Sequence, residues 1–289
     1  MDRNNYRMIA IDLDGTLLSP SGHVTPRAKQ AVRKALDAGL LVCFATGRNW
    51  TESRTVLEAV EHYDSAVFVG GAMVVDTKKE VVLHRMMMQP ALARELCKHL
   101  EDAGHAVLAL QDTHAAGFDY LVTGDIPVNG PTNHWMKVTA AKIRTVPRLA
   151  ELDHEHTIRI GIVAPPADAA KMKWSLNASF SDRIVCHSLF VPAYDVEVLE
   201  VFDPAVNKWE GVKLVAQRHD IAEHEIIAIG DDVNDLPMIQ HAGLGVAMGN
   251  ARPEVLAIAK RVIGTNADEG LAQFLEELVE THAVEPLAE

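Results

Sequence analysis

The apolar pattern of the chain opens with Met8-Ile9-Ala10-Ile11, four hydrophobic residues without a polar interruption. Such a run predicts a central parallel strand buried on both faces. It ends abruptly in Asp12-Leu13-Asp14-Gly15. Thr25-Pro26 then supplies an N-cap and a proline at the first helical position. Ala28, Ala31, Val32, Ala35 and Leu36 follow at helical spacing, and Gly39 stops the helix. Residues 40–45 predict a second buried strand, ending in Thr46-Gly47-Arg48-Asn49. A helix through Val56, Leu57 and Val60 leads to a third strand over 66–69. Residues 73–76 and 80–83, on either side of Thr77-Lys78-Lys79, predict a hairpin. Strands alternating with helices are the pattern of a doubly wound α/β sheet.

The pattern changes near Arg85. Leu92, Leu96 and Leu100 predict an amphipathic helix closed by Gly104, and residues 105–110 and 118–122 predict paired strands around Gly117. Gly130-Pro131 and Pro147 read as breaks. A strand over 157–163, a helix over 166–180 and strands over 184–191 and 194–202 follow. This mixture predicts an α+β module inserted into the first domain. The α/β pattern then resumes with a helix over 208–219, a strand over 226–229, short strands over 244–248 and 261–263, and a closing helix over 271–279. The expected division is a core of 1–84 and 192–289 with an inserted domain of 85–191, and the tail from Thr281 onward is expected to fray.

Composition narrows the function. At 289 residues with 48% hydrophobic content, the chain exceeds the usual size of one core and suits two. A net charge of −13 argues against a nucleic-acid partner, which needs clustered Lys and Arg. No window of about 18 apolar residues predicts a membrane span. Residues 1–5 lack the basic-then-apolar order of a secretory leader. Cys43, Cys97 and Cys186 are odd in number and lack CxxC spacing, as reduced thiols would be, so the expected location is the cytoplasm.

The chemistry gathers at strand ends. Residues i and i+2 of an extended chain point to one side, so Asp12 and Asp14 enter one crevice. Two carboxylates that close need a cation between them, or one must keep its proton. Asp12/Asp14, Thr46/Gly47/Arg48 and Asp231/Asn234/Asp235 each follow a predicted strand, and parallel strands bring their carboxyl ends to one edge. Lys208 opens a later helix. A few carboxylates with substrate phosphate oxygens are the ligand set magnesium prefers.

These residues carry a family resemblance. Asp12-Leu13-Asp14-Gly15-Thr16 resembles the first motif (DxDGT) of the haloacid dehalogenase superfamily, Thr46-Gly47-Arg48 the second, Lys208 the third, and Gly230-Asp231-Asp232-Val233-Asn234-Asp235 the fourth (GDxxND). Gly249-Asn250-Ala251 and residues 265–270 are similar to the Cof-type phosphatase branch, which has a C2 (type IIB) cap. The resemblance implies a Rossmann-like doubly wound parallel-sheet core with an inserted α+β cap. It also implies Mg2+-dependent hydrolysis of a small phosphorylated metabolite, a sugar phosphate or related phosphomonoester, through an aspartyl-phosphate, with no nucleic-acid or membrane partner.

By that resemblance Asp12 is the nucleophile, Asp14 the acid and base, and Lys208 the charge-neutralising residue. Thr46, Gly47, Arg48 and Asn234 would hold phosphate. The metal would rest on Asp12, the Asp14 carbonyl and Asp231, with Asp235 beside it, orienting Lys208 or a metal-bound water. Arg48 has a second reading, pairing with an acidic neighbour. The chain departs from many Cof-type sequences at Gly70-Gly71, where they have Asn-Gly, and at Trp209, expected to fill space under the cap. A hexose phosphomutase and a non-catalytic phospho-ligand-binding protein are the alternative functions. A signalling receiver domain shares the acidic cluster, but the insertion disfavours it.

Overall fold

The computed structural model describes residues 6–191 and 194–281, so the opening pentapeptide and the tail beyond 281 lie outside the described residues. In chain order the first elements are β1 (Met8–Ile11), α1 (Pro26–Asp37), β2 (Leu41–Phe44), α2 (Trp50–Ala59), β3 (Ser65–Phe68), β4 (Met73–Asp76) and β5 (Val81–Arg85). There follow α3 (Pro90–Asp102), β6 (Leu108–Gln111), α4 (Thr113–Ala116), β7 (Tyr120–Thr123), α5 (Gly130–Val138), β8 (Ile143–Val146), β9 (Thr157–Ala164), α6 (Pro166–Phe180), β10 (Val185–Val191) and β11 (Val196–Phe202). The chain closes with α7 (Lys208–Arg218), β12 (Ile226–Gly230), α8 (Leu236–His241), β13 (Leu244–Ala247), α9 (Pro253–Ile258), β14 (Arg261–Val262) and α10 (Gly270–Thr281).

Two compact units result, one from the segments on either side of residues 85–206 and one from those residues themselves. In the first, the order β14-β13-β12-β1-β2 is parallel throughout. A parallel bridge between Ala45 and Val67 continues it to β3, whose other edge carries β4 and β5. All four residues of β1 are fully buried, as the unbroken apolar run requires. Met8 and Ala10 join Trp209, Val212 and Val215 of α7, Met238 of α8 and Val255 of α9 in one cluster. Ile9 and Ile11 alternate to the other face. Helix α1 packs on β2 and against α10. Thr25 caps α1 by accepting from the Ala28 N–H at 3.1 Å, with Pro26 next in line.

The second unit is a six-stranded sheet of order β10-β11-β9-β6-β7-β8, antiparallel except for β7 against β8. Helices α3 and α6 bury Leu96, Leu100, Met172 and Leu176 with Ile160, Ile162, Leu199 and Val201 of the sheet. The inserted α+β domain is therefore real, but its expected end is corrected. Strand β11 pairs with β9 and β10, so the insertion runs to Val206 rather than to 191. A second correction concerns Gly130-Pro131, expected as a break. They begin α5, capped by Asn129, which accepts from the Thr132 N–H at 2.8 Å. No helix among the described residues is long and apolar enough to cross a membrane.

Candidate active site

In a doubly wound sheet the crevice opens where successive connections leave a strand in opposite directions. Here that point lies between β1 and β12: the chain leaves β1 toward β2 and later returns to pair β12 on the other side. Ile11 is in register with Ile229, and the Asp12 N–H donates to the Ile229 carbonyl at 3.0 Å. Asp12 and Asp231 thus end adjacent strands. After Asp12 the chain turns sharply at Gly15, whose φ of +77° suits glycine. The turn also brings Gly15 onto Asp231: a Cβ there would lie 2.1 Å from Asp231 Oδ2.

Lys208 is the centre of the cluster. The first residue of α7, it is only 1% exposed, and its Nζ donates to Asp12 Oδ1 and to Asp235 Oδ1, each at 2.6 Å. Burial alone would depress the ammonium, and the two carboxylates more than reverse this, raising its pKa above the usual lysine range. Asp235 is fully engaged, since its Oδ2 accepts from the N–H groups of Asp231 and Asp232 at 2.9 and 3.1 Å. No described residue donates to Asp12 Oδ2. Ligand oxygens of Asp12, Asp231 and Asp235 lie within 4.8 Å of one another.

One ammonium does not balance three carboxylates. Burial raises the Asp12 pKa well above the usual carboxylate range against the pull of Lys208, with Asp235 and Asp231 adding to the rise. Burial, then Asp235 and Asp232, pushes Asp231 up to about 7. Thr16, the last residue of the Asp12–Thr16 motif, donates its hydroxyl to Asp231 Oδ1 at 3.2 Å.

The other expected site residues fall into place unevenly. Asp14 turns outward, its side chain 57% exposed, and Arg48 grips both its oxygens through Nε at 2.8 Å and a terminal nitrogen at 2.5 Å. This pair is the acidic contact of the second reading of Arg48. Thr46 is buried, and its hydroxyl accepts from the Arg48 N–H at 3.1 Å. Asn234 lies beside Gly47, where a Cβ would stand 3.7 Å from Asn234 Nδ2, and the buried Asn234 Oδ1 has no hydrogen-bond partner among the described residues.

Gly70 and Gly71 follow Val69 in a run of three left-handed residues, and a Cβ on Gly71 would sit 1.9 Å from the Asn207 carbonyl oxygen. That glycine pair lets the end of β3 press against the residue that caps α7, so it bears on where Lys208 stands. Trp209, expected to fill space under the cap, has its partners within the first unit. It is buried in the first unit's own cluster and stacks on His241 at 6.0 Å. Asn250, in the Gly249-Asn250-Ala251 stretch, follows β13 at the same sheet edge.

Fold and site together define a doubly wound α/β protein with a buried lysine held between carboxylates at the switch point of its parallel sheet. Over residues 9–275 the sequence matches the haloacid dehalogenase-like hydrolase model, and the chain belongs to that family. It is 28% identical over 277 residues to the 5-amino-6-(5-phospho-D-ribitylamino)uracil phosphatase YitU of Bacillus subtilis, covering 93% of this chain and 96% of that one. It is 26% identical over 287 residues to an HMP-PP phosphatase of Citrobacter koseri, covering 93% and 94%. The HAD subclass IIB sugar phosphatase BT4131 shares the fold with a TM-score of 0.77 at 20% identity, over 94% of this chain and 98% of that chain.

Proposed function

We propose that this protein is a magnesium-dependent phosphomonoesterase that acts on a small phosphorylated metabolite, a sugar phosphate or related ester, with Asp12 as nucleophile. The observation that carries the reading is Lys208 Nζ at 2.6 Å from both Asp12 and Asp235, with Asp231 beside them. Three carboxylates around one ammonium leave two negative charges, and an all-oxygen donor set suits a hard divalent cation. Asp12 and Asp231, with the Asp14 main-chain carbonyl, would hold Mg2+. Asp235, with both oxygens engaged, serves Lys208 instead. The bound ion would neutralise charge developing on the transferring phosphoryl group.

The protein's own residues supply the rest. Lys208 fixes one Asp12 oxygen and leaves the other to attack phosphorus as the bond to the leaving alkoxide breaks. Asp14, released from the Arg48 fork and carrying a proton, would give that proton to the alkoxide. It then takes one from the water that attacks the aspartyl-phosphate, releasing phosphate and restoring Asp12. Thr46, Gly47 and Asn234 would hold phosphate oxygens.

The test is phosphate release from p-nitrophenyl phosphate with Mg2+ and with excess chelator, followed by a panel of sugar and nucleotide monophosphates. Release should require the metal, and Asp12→Asn should lose it. Appreciable turnover by Asp12→Asn would overturn the covalent route, and sugar-phosphate isomer formation in place of release would favour the mutase.

A further inference from the structure

Thr16 bonds one oxygen of the Asp231 carboxylate, and Asn250 approaches the other. Its Nδ2 donates to the Gly15 carbonyl at 2.9 Å and approaches Asp231 Oδ2 at 3.4 Å, while its Oδ1 accepts from the Asn266 N–H at 2.9 Å. A main-chain N–H can only donate, so Asn266 fixes which end of the amide is oxygen and sends the NH2 group toward Gly15 and Asp231. Asn266 is itself tied down, its Nδ2 donating to the Leu18 carbonyl at 2.8 Å. The two loops are also pressed together. The Gly249 N–H donates to the Gly264 carbonyl at 3.1 Å, and a Cβ on Gly270 would lie 2.2 Å from that oxygen.

We propose that Asn250 is a positioning residue for the metal site: it locks Asp231 to the loop that follows Asp12, with Asn266 setting its orientation. The inference rests on the metal reading given above. Asp231 then has a hydroxyl on one oxygen, an amide near the other and the bare Gly15 backbone against it. A carboxylate fixed on three sides is presented to a cation without first losing side-chain freedom. Partners that orient metal ligands in this way commonly change affinity about 10–100-fold when removed. A plain loop-holding role would instead lower stability and leave affinity alone.

The full-length protein would be titrated with Mn2+, reading the free ion by electron paramagnetic resonance, beside a melt of the metal-free form. Asn250→Ala should weaken Mn2+ binding about 10–100-fold with the metal-free melting temperature nearly unchanged. Asn266→Ala, which keeps the N–H but loses the Leu18 tether, should weaken it by a smaller factor, and it decides the matter if Asn250→Ala fails to fold. Asp231→Asn should abolish binding. If Asp231→Asn binds as wild type does, the metal reading falls and this inference with it. If Asp231→Asn loses the ion while Asn250→Ala keeps full affinity, the inference alone is overturned. A melting temperature that falls while affinity holds also overturns it.

Discussion

Lys208 is the residue whose removal should be felt most. Lys208→Met leaves Asp12 and Asp235 buried without their shared cation. Stripping one partner from such a group costs about 3–5 kcal/mol. Urea unfolding of the metal-free variant should show a loss of that order at pH 8 and a smaller one at pH 5, where Asp12, raised by its burial, takes up a proton. Asp231 gives the sign of the wild-type pH dependence. Its folded pKa of about 7 lies above the ordinary carboxylate value, because of burial and then of Asp235 and Asp232. Between roughly pH 4 and 7 the folded chain therefore binds more protons than the unfolded one, and stability falls as pH rises through that window. On the proposed metal reading, magnesium would compete with those protons. Melts at pH 5.5 and 8 should show the metal-free protein less stable at the higher pH and the Mg2+-induced gain larger there.

At the scale of elements, α7 is located by a close approach. Gly71→Ala sets a methyl against the Asn207 carbonyl at a φ of +107°, so either the end of β3 or the start of α7 must move. The strained backbone alone costs about 1–3 kcal/mol. Turnover should fall as well, since Lys208 is the next residue along. Melting and kcat measured on the one variant check both. The strand ends that carry Asp12, Thr46 and Asp231 were legible because unbroken apolar runs mark buried parallel strands and their ends share one edge. The end of the inserted domain was not: the strand over 194–202 follows the inserted module's pattern, yet a boundary at 191 leaves it in the core, and its pairing to β9 is a non-local fact. Helix α5 escaped because only Thr132 of its residues is buried, which leaves no apolar stripe to read. Nor does sequence say which partner a carboxylate takes. Arg48 on Asp14 and Lys208 on Asp235 are matters of side-chain direction.

For the whole molecule, the proposed metal touches segments of the first unit alone. Hydrogen exchange with and without Mg2+ should therefore slow in residues 12–18, 230–235 and 248–251 and stay unchanged over the six-stranded sheet of the second unit. Uniform slowing throughout would refute the placement. The sheet order has a further consequence, for the way the chain is made. Thr16 meets Asp231 across 215 positions of sequence, and β1 beside it waits as long for β12. A ribosome working at about 5–20 residues per second needs roughly 10–40 s to cover that span. Through that interval Met8–Ile11 has β2 on one side and an unpaired apolar edge on the other. The nascent chain is then an adhesive template for any neighbouring strand, and what protects it while translation catches up must come from outside the sheet.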